Sequence, residues 1–343
     1  MPPPSETRDG PVLVQWILDT RTWYPQVTQT KQLETHAARA LALLPPSVPP
    51  QILRYYYARD AKMALASALL KHYAVSKLAP TPWSLTVATG MTRDERTKPV
   101  YVDPATGTQP VVFNVSHQDG VVALIAVANY PSTTTTTTNN NNNSQPGEPG
   151  VDVGVDVVCT SERRARDRGM LASDGWPAFV DMHADVLAPG ETRYLKYRVL
   201  DAVPDLVPGD NPTDEQVNDG RLRAFYALWA LREAYVKLTG HALLADWLRE
   251  LEFRDFRPPR PTAGWGVPAR EEAGEVVKDT EIWFQGRRVE DVNMCLSALG
   301  PDFMIATAVR TPGNKEDGLG WQLGPYEVLS LDEVLDFAEG SRV

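Results

Sequence analysis

The segment Phe225–Lys237, FYALWALREAYVK, is apolar almost all the way round a helix. At 3.6 residues per turn, Leu222, Tyr226, Trp229, Glu233 and Val236 stack into one stripe, while Leu228, Leu231 and Tyr235 cover the opposite side. Such a helix has no face to show water, so any fold of this chain must bury it between other elements. Glu233 interrupts the apolar stripe, with Lys237 one turn further on. A carboxylate buried there needs a partner: a cation, a metal or a reacting proton. Two readings follow. Glu233 and Lys237 form an internal i,i+4 pair on a structural helix, or the acid has work to do.

Taken in order, the chain repeats itself. Residues 11–19 alternate as a strand. Pro49-Pro50 introduce a helical pattern from about Gln51 to Val75, with the stripe Ile52, Tyr56, Arg59, Met63, Ala66, Leu70 and Tyr73. Arg59 interrupts this stripe as Glu233 interrupts the other, and Arg59-Asp60-Ala61 echoes Arg232-Glu233-Ala234. Ser84–Ala88 predicts a short strand, followed by a polar turn holding Arg93, Arg96 and Lys98. VVFNVSH (111–117) and VVALIAVA (121–128) predict a β-hairpin around Gln118-Asp119-Gly120. Residues 131–150, PSTTTTTTNNNNNSQPGEPG, break all periodicity and read as a linker or inserted loop. VDVGVDVV (151–158) then alternates, placing four valines on one face and Asp152, Gly154 and Asp156 on the other. An Arg-rich stretch (161–168), a mixed region and an acidic Pro/Gly loop (201–220) lead to the opening helix. Strands are predicted at 251–256, 281–289, 294–298 and 302–310, with 257–280 as an inserted loop.

Strand, long helix and several strands, twice over, predict an α+β fold of two pseudo-duplicated halves. Each half is expected to pack a long helix on a small, mostly antiparallel sheet, with the active site at the interface. The expected units are lobes 1–130 and 151–313, joined by 131–150, with 314–343 as a peripheral extension. The chain's 343 residues suffice for two real cores. No apolar run approaches the ~20 residues of a membrane span, and the start, MPPPSETRDG, has no signal-peptide pattern. Two cysteines, Cys159 and Cys295, make neither a disulfide framework nor a zinc site. A cytoplasmic protein that leaves membranes alone is the expectation. A net charge of −10 argues against a general nucleic-acid binder.

Among residues able to do chemistry, Asp156 stands near the end of a buried strand, two residues after a glycine that permits close approach. It suits a hard cation such as Mg²⁺, or is a plain strand-end acid. His117 either meets a phosphate or caps the hairpin turn. The Ser116-His117 pair is no catalytic dyad, because neighbouring strand side chains point to opposite faces. No G-x-S-x-G elbow accompanies it. Arg59, Arg93, Arg96 and Lys98 suit phosphate or a solvated surface. With neither a Walker loop nor G-x-G-x-x-G, a bound nucleotide would be held by side chains and strand ends. Cations in one half and two carboxylates with a lysine in the other fit metal-assisted attack on a phosphate or diphosphate.

FNVSH (113–117), GVDVV (154–158) and WALREAYVK (229–237), in that order, resemble the large, two-lobed Sfp type of 4′-phosphopantetheinyl transferase. RYYYARDAK (54–62) and TKPV (97–100) match the first half of the same family, and WLRELEF (247–253) is similar to broad-specificity members from filamentous fungi. The resemblance covers about residues 11–310, insertions aside. It implies that coenzyme A donates its phosphopantetheine arm to a carrier-protein serine, leaving adenosine 3′,5′-bisphosphate. It further implies Mg²⁺, with Mn²⁺ as the alternative, on Asp156 and Glu233. Glu233 would take the serine proton and Lys237 would stabilise the leaving phosphate. Arg59, Arg93, Lys98, Ser116 and His117 would grip the nucleotide end, with His117 at the 3′-phosphate. The implied partners are apo carrier domains of fatty-acid, polyketide, nonribosomal-peptide and aminoadipate-reductase systems, served by a monomer.

One departure matters. Bacterial members read G-I-D-I-E, and the last acid is replaced here by Val158, which ligates nothing. Coordination would be completed by water or by Gln118, which is expected to approach the metal or the diphosphate. The basic run SERRARDR (161–168) is a candidate carrier-docking patch or a solvated loop. Two rivals share the same residues: a hydrolase that cleaves the coenzyme A diphosphate, and a non-catalytic module binding coenzyme A or the carrier.

Overall fold

The computed structural model describes residues 10–131, 150–202, 212–241, 245–262 and 274–341. The proposed linker falls almost wholly outside them, as do parts of the acidic loop and of segment 257–280. The first half opens with β1 (Val12–Asp19), then three short helices, α1 (Leu33–His36), α2 (Ala38–Leu41) and α3 (Val48–Ile52). The long helix α4 spans Ala58–Leu78, starting later than the pattern from Gln51 suggests. Pro49-Pro50 open α3 instead, and Tyr57 takes an extended conformation that separates the two helices. Tyr56 is therefore 87% exposed instead of lying in the stripe. An amphipathic tyrosine satisfies a hydrophobic period from either side, so periodicity could not place the boundary. From Met63 on, the stripe is buried as expected.

Residues 84–88 also correct the sequence reading. They belong to helix α5 (Trp83–Thr89), which Pro82 precedes and Gly90, at φ 74°, ends. Trp83 and Thr86, one turn apart, are the buried pair, and Trp83 Nε1 donates to the Leu43 carbonyl at 2.8 Å. The small hairpin β2 (Thr92–Arg93) and β3 (Pro99–Val100) follows, then the predicted hairpin β4 (Val111–Gln118) and β5 (Val121–Ala128).

The second half runs β6 (Asp152–Cys159), α6 (Arg164–Asp181), α7 (Pro189–Tyr197) and α8 (Asp214–Thr239). The opening helix of the sequence thus begins at Asp214, inside the expected loop, where Thr213 and Gln216 form a capping box. Next come β7 (Leu251–Arg254), β8 (Val276–Val277), β9 (Glu281–Phe284), β10 (Arg287–Arg288), β11 (Val292–Leu299), β12 (Phe303–Arg310), α9 (Lys315–Gly320), β13 (Glu327–Leu329) and α10 (Leu331–Gly340). Two four-stranded sheets carry the fold, β13-β1-β5-β4 and β6-β12-β11-β8. Helix α4 covers the first and α8 the second, the duplicated α+β plan expected from the order of elements.

The C-terminal stretch is not peripheral. Strand β13 pairs in parallel with β1, from Trp16↔Glu327 to Leu18↔Leu329, and α10 buries Val334, Leu335 and Ala338 in the first half's core. A three-residue strand whose partner lies some 310 positions away leaves no local signal.

The halves meet along two edge strands. Val151, just before β6, and Val153, Val155 and Val157 of β6 share a core with Val121, Ala123, Ile125 and Val127 of β5. Beside that core β4 and β6 face each other without a backbone ladder. Asn114 Oδ1, Ser116 Oγ and Gln118 Oε1 instead accept from the amides of Val155, Val157 and Cys159 at 3.0, 3.3 and 3.0 Å. Alternate side chains of one edge satisfy alternate amides of the other, which closes both edges and fixes their register. Among the described residues no helix is long and apolar enough to cross a membrane.

Candidate active site

With the valines of β6 turned to the shared core, Gly154, Asp156 and Val158 face α8. Gly154 is there for space. A Cβ on it would lie 2.1 Å from the Ala234 carbonyl oxygen, so helix and strand touch through backbone. Two residues on, Asp156 is buried, and its Oδ1 accepts from Lys237 Nζ at 2.6 Å and from Ser116 Oγ at 3.0 Å. Lys237 also donates to Ser116 Oγ at 2.8 Å. The lysine therefore reaches across to β6 and β4, and the i,i+4 pair with Glu233 gives way to this three-residue cluster. Burial lifts the Asp156 carboxyl above its ordinary range, opposed by Lys237.

Glu233, one turn back on α8, makes no hydrogen bond or ion pair among the described residues. Burial first, then the neighbouring Asp156 charge, raise its pKa to about 7, with Lys237 pulling the other way. Both acids line one cleft of about 580 Å³ between the halves, together with Ser116, His117, Gln118 and Lys237. Met170, Phe179, Phe225 and Trp229 add apolar wall to the same cleft. Val158, 3% exposed, belongs to this wall. Arg163 and Arg166 also line the cleft, whereas Arg164 is tied to Asp302 at 2.9 Å. At the His117 ring, desolvation and the charge of Lys237 lower the pKa.

The remaining expected residues sit further out. Arg59 lines a neighbouring cavity and pairs with Asp119 at 3.2 Å and Glu162 at 3.5 Å. Arg93 donates to the Thr97 carbonyl at 2.5 Å. Lys98 is used differently from the expected phosphate grip. Its Nζ donates to the Leu238 carbonyl at 2.9 Å, in the last turn of α8 where carbonyls go unpaired, and so ties the halves together. Gln118 donates from Nε2 to Glu162 Oε2 at 2.6 Å while its Oε1 accepts from Cys159 N. Sequence reading missed Glu162, and also missed Ser67, Asp167 and His183 in the cleft lining. Asp167 accepts from the Tyr226 hydroxyl, and only the i,i+3 spacing of Tyr226 and Trp229 hinted at that wall.

Among the described residues no three His, Cys, Asp or Glu gather around one point. The two acids nonetheless fit a hard dication. Burial and the Asp156 charge raise the pKa of Glu233, and a cation between the two acids would relieve both effects. Mg²⁺ characteristically takes one or two carboxylates and completes its shell with water and phosphate oxygens.

The family model for the N-terminal domain of 4′-phosphopantetheinyl transferase matches residues 22–129, and that for the 4′-phosphopantetheinyl transferase superfamily matches residues 152–280. The 4′-phosphopantetheinyl transferase 1 of Fusarium mangiferae is 42% identical over 335 residues, 98% of each chain. The 4′-phosphopantetheinyl transferase A of Aspergillus fumigatus is 35% identical over 322 residues, 88% of this chain and 84% of the relative. The L-aminoadipate-semialdehyde dehydrogenase-phosphopantetheinyl transferase of Mus musculus is 24% identical over 311 residues, 90% of this chain and 79% of its own.

Proposed function

The chain belongs to the 4′-phosphopantetheinyl transferase family, and on that premise we propose that it moves the 4′-phosphopantetheine arm of coenzyme A onto a serine of an apo carrier domain. The observation that carries the reading is Glu233, without a hydrogen-bond or ion-pair partner among the described residues, in the same cleft as the Asp156–Lys237–Ser116 cluster.

The serine oxygen attacks the phosphorus that bears pantetheine, and the bridging P–O bond breaks. Adenosine 3′,5′-bisphosphate leaves with the electron pair. Glu233 takes the serine proton, directly or through one water. Lys237 meets the charge that develops on the leaving phosphate, held in place by Ser116 and Asp156. Mg²⁺, or Mn²⁺, held by Asp156 and Glu233, supplies when bound the neutralisation of the diphosphate charge. Gln118 Oε1 stands in for the acid replaced by Val158. His117, Arg59 and Arg93 take the nucleotide end of the donor. The apolar wall of the cleft receives the arm or the incoming serine loop, with Arg163 and Arg166 facing the carrier's acidic surface. Carriers of fatty-acid, polyketide, nonribosomal-peptide and aminoadipate-reducing systems are the proposed partners of a cytoplasmic monomer.

The test is to incubate the protein with coenzyme A, Mg²⁺ and an apo carrier, then weigh the carrier by mass spectrometry. A phosphopantetheine mass gain lost in Asp156→Ala and Glu233→Ala supports the transferase. Coenzyme A cleavage without a carrier adduct would replace it with a hydrolase, and binding without turnover with a non-catalytic module.

A further inference from the structure

Lys237 sits in the last turn of α8, which ends at Thr239. Last turns fray, because their carbonyls have no helical amide left to accept from. Here three of them are answered in succession. Thr239 Oγ1 donates to the Val236 carbonyl at 2.9 Å, and Gly240 N donates to that of Lys237 at 3.3 Å. The Leu238 carbonyl is answered from the other half of the molecule, by Lys98 Nζ at 2.9 Å. A cation also suits this negative pole of the helix.

The loop that delivers Lys98 is itself held. It joins β2 to β3, and Asp94 Oδ1 accepts from the amides of Arg96 and Lys98 at 2.9 and 2.8 Å. Asp94 N donates to the Lys98 carbonyl at 3.0 Å, and Arg93 donates to that of Thr97. Arg96 adds a second hold on the same helix end. Gly240, left-handed at φ 76°, leaves room for its stem: a Cβ there would lie 2.5 Å from Arg96 Cδ. The Arg96 guanidinium reaches Asp152 Oδ1 at 3.8 Å, and Arg310 takes the other oxygen at 2.7 Å. Arg96 and Lys98 of the first half thus close on the end of α8 and the start of β6, the two elements that carry Lys237 and Asp156. Lys98 is absent from the lining of the cleft, so its reach is to the helix.

We propose that Lys98 is a positioning residue: it clasps the last turn of α8 across the boundary between the halves and so keeps Lys237 on Asp156 and Ser116. This rests on the transferase reading and departs from the nucleotide grip that the family resemblance implies for Lys98. With its ammonium committed to a carbonyl of the second half, the residue serves turnover and not affinity for the donor.

The test follows carrier loading by mass spectrometry against coenzyme A concentration, at fixed Mg²⁺ and carrier. Wild type is compared with Lys98→Met, Lys98→Arg, Lys237→Met, and Lys98→Met combined with Lys237→Met. Lys98→Met should lower kcat roughly 10- to 100-fold, the scale of a misplacement of about 1 Å, with KM for coenzyme A within about threefold. Lys98→Arg should recover most of the loss. In the Lys237→Met background, removing Lys98 should cost less than about threefold, because the lysine it positions is gone. Losses that multiply would mark a merely structural residue, and a raised KM with kcat preserved would return Lys98 to the nucleotide; either result, or an unchanged kcat, overturns the proposal. Hydrogen–deuterium exchange reads the clasp in the donor-free protein. The amides of Val236–Gly240 should exchange roughly tenfold faster in Lys98→Met while those of Leu222–Trp229 keep wild-type rates, and unchanged exchange at the helix end would refute the clasp. If wild type loads no carrier, the transferase reading fails on its own and exchange alone decides the clasp.

Discussion

Substituting Gly154 by alanine tests the contact on which the site is built. Gly154 does not adopt a left-handed conformation, so alanine suits its backbone and only space is at issue. The new Cβ would lie 2.1 Å from Ala234 O, 2.6 Å from Leu238 N and 3.0 Å from Leu238 Cβ. The two nearest atoms are helix backbone, which cannot swing aside as a side-chain tip can. To regain van der Waals distance, α8 must retreat from β6 by roughly 1 Å, an overpacking strain of about 1–3 kcal/mol. Ala234 and Leu238 directly follow Glu233 and Lys237, so the same retreat draws Lys237 off Asp156, now 2.6 Å away. A misplacement of that size typically lowers turnover about 10²-fold. Urea unfolding followed by tryptophan fluorescence, beside the carrier mass assay, reads both effects. Gly169→Ala on α6 is the control: nothing lies within 4 Å of its Cβ, and a helical glycine replaced there should gain about 0.5–1 kcal/mol. A Gly154→Ala protein with wild-type midpoint and turnover would refute the backbone contact and the alignment argued from it.

Other substitutions probe the charges. Glu233 binds its proton more tightly folded than unfolded, so it favours folding below about pH 4.5, and that contribution is lost as pH rises through about 7. Metal-free Glu233→Gln should therefore melt higher than wild type at pH 8, match it near pH 4, and fail to transfer; a lower melting temperature at pH 8 would reveal a stabilising partner for the acid. Arg232 is buried on Glu191 at 2.7 Å and also donates to the carbonyls of Leu248 and Leu251. Arg232→Met leaves Glu191 buried without its cation and should cost about 3–5 kcal/mol by chemical denaturation. Gln118→Ala should weaken Mn²⁺ binding measured by electron paramagnetic resonance, and unchanged affinity would remove Gln118 from the metal's surroundings. Neutralising Arg163 and Arg166 together should raise KM for the carrier while leaving coenzyme A binding intact, and equal carrier affinity would reject the docking role.

Much of this was legible before any coordinates. Alternation at 151–158 predicted which face of β6 the acids share, because a strand's side chains have a period of two. The charged interruption at Glu233 marked the face of α8 that lines the cleft, because an apolar helix tolerates a carboxylate only where something can answer it. The strand expected at 84–88 failed because Thr86 and Val87 have β-branched side chains whatever they form. There Pro82 and Gly90 set a short helix that propensity alone does not favour.

What the sequence determined by itself is what neighbouring residues share: two helices, their flanking strands, the order that repeats, and motifs that carry a family resemblance. Which groups meet was a tertiary decision. Lys237 could have paired with Glu233 one turn away, yet it spans to Asp156 and Ser116 because Gly154 lets α8 rest on the backbone of β6. Asn114, Ser116 and Gln118 are strand residues like any others until a second edge arrives with amides at their spacing. Strand β13 becomes part of the first half only when β1 accepts it. Periodicity records which side of an element is buried, but the partner on that side is chosen by residues tens to hundreds of positions away, and no local pattern encodes that choice.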